Sequence, residues 1–326
     1  MTKVGITGAS GHIGGVLCEM LLAKGYEIGI LSYKSKVDLD VPQDFGSITD
    51  KKVLNDFVAK YDYIIHMAAD ISVDGSSKEA MWQTNVVGSD LLAQACFDNK
   101  IKRLVHCSSI AAIEQFPLDQ AIDETRSLVN ETSLATAYGK SKAEAERRVL
   151  AWVEKGLDAV IVAPTSVLGP QDRKPSVLGQ SLLDIYHNRL PALVGGGQDW
   201  VDVRDIAEGT IAALERGRKG EKYLLGSEFF SIQELALMIG DIYKKKVPTL
   251  VLPFWLARLG VPFEQIKTKI SGKPNGFTQE ALTALKYGNT KISHQKASDE
   301  LGYKPRPVRE ALKDAIDWLL EFHEKK

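Results

Sequence analysis

The chain has 326 residues, too many for one ordinary hydrophobic core, so a large domain with a smaller companion is expected. Hydrophobic residues at 44% and charged residues at 25% are the proportions of a soluble globular protein. A formal net charge of −1 offers no basic footprint for nucleic acid or an anionic membrane, so neither is expected as a partner.

The first strand-like run begins at Lys3, which leaves no room ahead of it for a signal peptide. Residues 4–7 read as a short buried strand and 13–24 as a helix that stops at Gly25. A second strand is expected over 26–31, weakened by Gly29. Helical patterns at about 53–60 and 79–99 precede two more strands, at 63–67 and 104–107. A helix at about 136–155 leads to a strand at 159–163. This alternation predicts an α/β fold, a Rossmann-like doubly wound parallel sheet with helices on both faces.

Past residue 165 the pattern loosens around Pro170, Pro175 and Pro191. Residues 200–203 read as a return to the sheet, followed by a helix at 206–215 and a strand at 222–225. The remainder reads as mostly helical. Residues 1–166 with about 193–226 are expected to form the dinucleotide-binding domain. Residues 167–192 (approximately) with 227–326 are expected to form a smaller, mostly helical substrate-binding domain. The apolar stretch 247–263 contains Arg258, Gly260 and three prolines, too broken to span a bilayer. Cys18, Cys96 and Cys107 lack metal-like spacing, and the six histidines are scattered. Reduced thiols in a cytoplasmic protein without a metal site are expected.

Thr7-Gly8-Ala9-Ser10-Gly11-His12-Ile13-Gly14 lies between the first strand and the first helix. Gly8 permits a tight turn, Gly11 lets backbone approach a pyrophosphate, and Gly14 lets helix and strand pack closely. With Ser10, His12 and Ile13 these are the candidate phosphate contacts, at a helix N-terminus with free N–H groups. Dinucleotide folds usually end the second strand in Asp or Glu, which holds the adenosine ribose. Here Ser32 stands there, followed by Tyr33, Lys34, Ser35 and Lys36. No carboxylate repels a 2′-phosphate and Lys34 could attract one, so NADP(H) is favoured, with NAD(H) the alternative. Lys34 and Lys36 are otherwise ordinary solvated charges.

Tyr138-Gly139-Lys140-Ser141-Lys142 opens a helical pattern, so Tyr138 and Lys142 project together one turn apart. A nearby ammonium favours phenolate and would make Tyr138 a usable acid/base. Tyr287 and Lys291 share the spacing, but Gly288 and Asn289 suit a turn. The 104–107 strand ends in Ser108-Ser109, and strand ends are where ligands bind in open parallel sheets.

With these motifs the chain resembles an extended short-chain dehydrogenase/reductase of the NAD-dependent epimerase/dehydratase superfamily, nearest the dihydroflavonol-reductase-like branch. Ile65-His66-Met67-Ala68-Ala69, Asn85-Val86-Val87-Gly88, Arg103-Leu104-Val105-His106-Cys107-Ser108-Ser109, Pro164-Thr165-Ser166-Val167 and Val201-Asp202-Val203-Arg204-Asp205 add to the resemblance. It implies that Ser109 orients the reacting oxygen, Tyr138 exchanges its proton, and Lys142 holds the nicotinamide ribose and lowers the Tyr138 pKa. It also implies that Ile48, Met67, Ala68, Ala69, Cys107, Pro164, Thr165, Ser166 and Val167 line the dinucleotide. Asn85 is implied to be structural, and Asp205 a cap or structural contact. The chain departs from the family at Ser47, which replaces an adenine-contacting Asp, and at Tyr33, where reductases of this branch often carry Arg.

No Arg precedes Trp200 and no acidic pair follows Ser109, features that nucleotide-sugar enzymes of this fold use. Ile185, Tyr186, Phe254, Trp255, Phe263 and Phe277 are candidates for an apolar pocket wall. The expected activity is NAD(P)(H)-dependent reduction of an aldehyde or ketone on a mainly apolar small molecule. Two alternatives stay open: a nucleotide-sugar epimerase that retains NAD, and a non-catalytic dinucleotide sensor. Helices 79–99 and 136–155 correspond to those through which many relatives form homodimers.

Overall fold

The computed structural model describes residues 2–71, 78–173, 176–261 and 278–324. In chain order its strands are β1 (Lys3–Thr7), β2 (Glu27–Ser32), β3 (Gln43–Phe45), β4 (Tyr63–His66), β5 (Arg103–Cys107), β6 (Ala159–Pro164), β7 (Ser166–Leu168), β8 (Leu193–Val194), β9 (Gly197–Asp202), β10 (Lys222–Leu225), β11 (Glu228–Ser231) and β12 (Val251–Leu252). Seven of them form one sheet in the order β10-β6-β5-β4-β1-β2-β3, with every neighbouring pair parallel. The strand order reverses between β1 and β4, so a crevice opens beyond their C-terminal ends.

Helices cover both faces, which is why β1, β4, β5 and β6 read as near-continuous apolar runs. On one face α1 (His12–Ala23) and α7 (Val203–Arg216) bury Leu17, Leu21, Ile206 and Ile211 against Val4, Ile6 and Val105. On the other, α2 (Lys51–Val58), α4 (Gly88–Asp98) and α5 (Ala137–Glu154) bury Leu54, Phe57, Leu92 and Val149 against Ile64, Leu104 and Ile161. The helix expected over 79–99 is interrupted. A short α3 (Lys78–Trp82) runs into a π-helical turn, Gln83–Val87, before α4 begins.

Residues 200–203 do not return to the main sheet. Residues 200–202 end β9, which lies in a separate three-stranded sheet, antiparallel to β11 and parallel to β7, and Val203 already opens α7. The apolar residues of this stretch gave no sign of which sheet they join, because both sheets offer a buried face. A second core forms around Trp200, Leu182, Leu235, Leu312 and Ile316, from β9, α6 (Val177–Tyr186), α8 (Ile232–Tyr243) and the C-terminal helix Val308–Glu324. Two arginines tie that helix and the segment before it to α7. Arg204 pairs with Asp202 at 2.7 Å and Asp314 at 2.6 Å, and Arg306 pairs with Asp202 at 3.2 Å and Asp205 at 3.0 Å. Among the described residues no helix is long and apolar enough to cross a membrane.

Candidate active site

The glycine-rich turn meets its sterics from two directions. Gly8 has φ +81°, and a Cβ there would sit 2.4 Å from the Ala68 amide nitrogen. The loop after β4 therefore closes on the turn directly. A Cβ on Gly14 would lie 2.2 Å from the Gly8 carbonyl oxygen, so helix α1 starts against the turn itself. Gly11 differs: a Cβ there would have only the Gly8 oxygen nearby, at 3.4 Å, and would otherwise point into open space. Ser10 and Gly11 are exposed. Side chains cap α2, α5, α6, α7 and α8, from Asp50, Thr136, Ser176, Asp202 and Ser231. None caps α1. A first turn left uncapped beside an open glycine is a binding place for an anion. His12 sends its ring sideways instead, with Nε2 2.8 Å from the Pro170 carbonyl oxygen.

The rest of the cofactor candidates lie at or just beyond the C-terminal ends of β2 to β6. Ser32 closes β2 and is buried, while Tyr33 and Lys34 are exposed, with the Lys34 Nζ 4.7 Å from the centre of the Tyr33 ring. Ile48 packs on Gly88, where a Cβ would lie 2.7 Å from its Cγ2. Asp50, near the departure at Ser47, caps α2 by accepting from the Lys52 and Val53 amides. Met67 packs against the core that holds α1, the Ala68 amide donates to Thr7 Oγ1 at 3.4 Å, and Ala69 follows, partly exposed. Val167 packs on that core too, and Pro164 is buried beside Leu225. Thr165 and Ser166 turn their side chains toward β9. Thr165 donates to Asp199 Oδ1 at 2.7 Å, and Ser166 donates to Gln198 Oε1.

Helix α5 grips the end of β5 at three successive residues. The Lys142 Nζ donates to the Cys107 carbonyl oxygen. Ser108 Oγ donates to Glu146 Oε2 at 2.6 Å. The Ser109 side chain neighbours the Tyr138 phenol closely enough to favour its ionised form, and its Oγ accepts from the Ala111 amide at 3.2 Å. Tyr138, Lys142 and Glu146 fall four residues apart, so one helical face carries all three. A Cβ at Gly139 would lie 2.4 Å from the Ala111 carbonyl oxygen, which lets the helix start close beneath the Ser109 loop. Burial pushes the Tyr138 phenol above its ordinary pKa, Cys107 adds to this, and Ser109 opposes it. The Lys142 ammonium, expected from sequence to lower that pKa, donates to the Cys107 carbonyl one helical turn away. Lys142 itself is pushed down by burial, against the pull of Cys107 and Glu146.

A buried polar chain joins this helix to the glycine-rich turn. Ser89 Oγ donates to the Asn85 carbonyl oxygen at 2.6 Å, so the His66 Nε2, 2.9 Å from that Oγ, must be its donor. His66 Nδ1 is then the acceptor for Thr7 Oγ1 at 2.7 Å. Asn85 Nδ2 donates to Ser141 Oγ at 2.9 Å, and Ser141 Oγ donates to the Tyr138 carbonyl oxygen at 2.8 Å. Asn85 also clasps Asp70, accepting from its amide and donating to its carbonyl. The π-helical turn brings Asn85 to this junction. His66 is thus a packed, neutral strand residue, held down to about 3 by burial and then by Lys142.

Beside Ser109 an open cleft of about 700 Å³, including its solvent-filled mouth, runs toward α9 (Gln279–Tyr287). Ile110, Ala111, Ile113, Val129, Leu134 and Ile292 give it apolar walls, and Glu114, Thr136, Ser166, Gln198, Asp199 and Tyr287 give it polar points. The aromatic wall expected from sequence is not here. Ile185 and Tyr186 belong to the second core, Trp255 is exposed, and Phe254 packs near Gly195. Phe263 and Phe277 lie outside the described residues. Sequence reasoning missed Asp199 and Tyr287 as lining residues. Asp199 carried a faint signal as a carboxylate inside an apolar strand, and burial raises its pKa. Asp205, expected as a cap or a structural contact, makes the structural contact, an ion pair with Arg306, and Asp202 is the cap of α7.

The sequence profile described as the NAD-dependent epimerase/dehydratase family matches residues 4–226. The chain belongs to this family. It is 30% identical to "Sterol demethylase protein B" of Methylococcus capsulatus, covering 97% of this chain and 98% of that protein. It is 28% identical to a Stigmatella aurantiaca ketoreductase of a farnesyl-dihydroquinoline oxide, over 95% of this chain and 94% of that one. The crystal structure of gox2253 superposes with a TM-score of 0.85 at 32% identity, with both chains wholly covered. WbmH of Bordetella bronchiseptica, solved with NAD+, shares the fold at a TM-score of 0.77 and 20% identity, over 99% of each chain. The family's enzymes work on CH–OH and C=O groups, and this chain is an NAD(P)-dependent oxidoreductase among them. The uncapped helix, the open side of Gly11 and the exposed turn fit the diphosphate of such a cofactor.

Proposed function

We propose that the protein reduces an aldehyde or ketone on a mainly apolar small molecule, with NADPH as the preferred cofactor and Ser109, Tyr138 and Lys142 at the reacting oxygen. The observation that carries this reading is one face of α5 that brings Tyr138 and Lys142 to the β5 end at Ser109, next to a cleft that Ile110, Ala111 and Thr136 help to wall. When bound, the nicotinamide supplies the hydride. Ser109 orients the carbonyl oxygen through its hydroxyl. Tyr138 donates the proton from Oη as that oxygen gains charge. A phenol held above its ordinary pKa keeps its proton at neutral pH, which suits the acid needed for reduction better than the base needed for oxidation. Lys142 supplies the positive charge that steadies the phenolate left behind.

Ser32 and Lys34 support the cofactor preference, since no carboxylate ends β2 and an exposed ammonium follows it. Ser32→Asp is expected to weaken NADPH relative to NADH by tenfold or more, on the order of 1.4 kcal/mol, read by cofactor titration. Buried, unpaired Cys18, Cys96 and Cys107 support a reducing cytoplasm as its location. A homodimer through α4 and α5 is part of the same reading, and sedimentation would test it. The central experiment is an NADPH-oxidation screen against carbonyl compounds, with Tyr138→Phe as control. Turnover with several apolar carbonyls, lost in the variant, is expected. Turnover of a nucleotide sugar without net NADPH use, on protein that purifies with NAD, would replace the reading with the epimerase alternative.

A further inference from the structure

Glu146 is a fully buried carboxylate two turns along α5 from Tyr138 and one turn from Lys142. Its Oε1 pairs with the Lys222 Nζ of β10 at 2.6 Å, and its Oε2 accepts from Ser108. A buried charge needs such partners. Three groups of the helix face therefore meet three consecutive residues of the strand end: Lys142 with Cys107, Glu146 with Ser108, Tyr138 with Ser109. We propose that Glu146 is a positioning residue for the proposed reaction, a buried carboxylate that balances the Lys142 ammonium and fixes the strand end carrying Ser109.

The inference rests on the Ser109–Tyr138–Lys142 reading above. The titratable groups facing Lys142 are Cys107 and His106 from β5, His66 from β4, and Tyr138 and Glu146 from its own helix. Burial keeps both histidines neutral and the Cys107 thiol protonated. Asp90 of α4 is engaged further along α5, by Trp152 and Arg148. Of these groups Glu146 is the carboxylate, one turn from Lys142 on the same helical face, and it opposes the loss of the Lys142 proton on burial. A purely structural Glu146 would hold Lys222 and Ser108 without affecting how Lys142 titrates.

The test compares Glu146→Gln with Glu146→Gln/Lys222→Met, which removes the buried pair together and so spares the fold an orphaned charge. Lys142 is followed directly by the 13Cε shift in lysine-labelled protein, assigned with Lys142→Met, and kcat is followed against pH. In Glu146→Gln the Lys142 midpoint is expected to fall by about one pH unit, and by less in the double variant, which removes the Lys222 charge as well. The alkaline limb of kcat should follow it, while KM for the cofactor changes by about twofold at most. An unmoved Lys142 midpoint, with only the melting temperature lowered, would overturn the proposal. The titration does not depend on turnover. If Tyr138→Phe keeps full activity, the proposed chemistry fails, and the Lys142 midpoint still reports whether Glu146 charges it.

Discussion

Tyr138 holds its proton more tightly than a free phenol because burial penalises the charged form more than the neighbouring Ser109 favours it. Replacing it with Phe removes a proton donor without removing the ring. The expected result is a loss of about 10²–10⁴ in kcat with an unchanged melting temperature, read by stopped-flow NADPH oxidation and calorimetry. The pair Tyr138 and Lys142 was legible because helical spacing is local and needs no knowledge of the fold. The engagement of Lys142 by Cys107 was not, since it depends on a strand 35 residues earlier. The contact of Thr165 with Asp199 escaped for the same reason: it exists because β7 and β9 pair. The aromatic wall failed differently. Large apolar side chains are buried by default, so Ile185 and Tyr186 filled a core instead of lining a ligand.

At the scale of elements, α1 is read most clearly by contrast with its neighbours. Its missing cap and the open space beside Gly11 predict separable effects for two glycine substitutions. Gly14→Ala forces a Cβ onto the Gly8 carbonyl oxygen and should cost about 1–3 kcal/mol of stability in urea unfolding. Gly11→Ala meets no such contact, with φ −83°, so it should unfold like wild type yet bind cofactor at least tenfold more weakly by fluorescence titration. Equal stability loss in both would mean that the turn is conserved in shape for packing alone. The main strands and helices were legible from period and punctuation. The π-helical turn was not: Gln83–Val87 carries no sequence break, and the extra backbone slack appears only because Asn85 is drawn to Asp70 and Ser141. β9 left the main sheet because β7 and β11 offered it a second one.

For the molecule as a whole, buried titratable groups set an acid limit. His66 and His106 are neutral in the fold, His66 down to about 3, whereas free histidine titrates near ~6.5. Their stabilising effect is complete above the unfolded value and is lost as pH falls through it, because the unfolded chain binds protons that the fold refuses. Asp205 has the opposite sign. Burial first, against Arg306, raises it to about 6, so its contribution is full below ~3.9 and fades as pH rises through 6. Asp199, also raised by burial, acts in the same sense as Asp205, and against them the two histidines predict a net fall of the urea midpoint between pH 7 and 5. A flat midpoint over that range would mean that the rings are hydrated or paired in solution.

Ser109, Tyr138 and Lys142 all come from β5, its exit loop and α5, none from the lobe built on α6, α8 and the C-terminal helix. The cleft beside them is walled by that same exit loop with β9 and α9, so the outer lobe lines neither. A chimera carrying a relative's outer lobe on this scaffold, joined where Arg204 and Arg306 keep their acidic partners, should therefore keep this protein's own substrates, read by the same carbonyl screen.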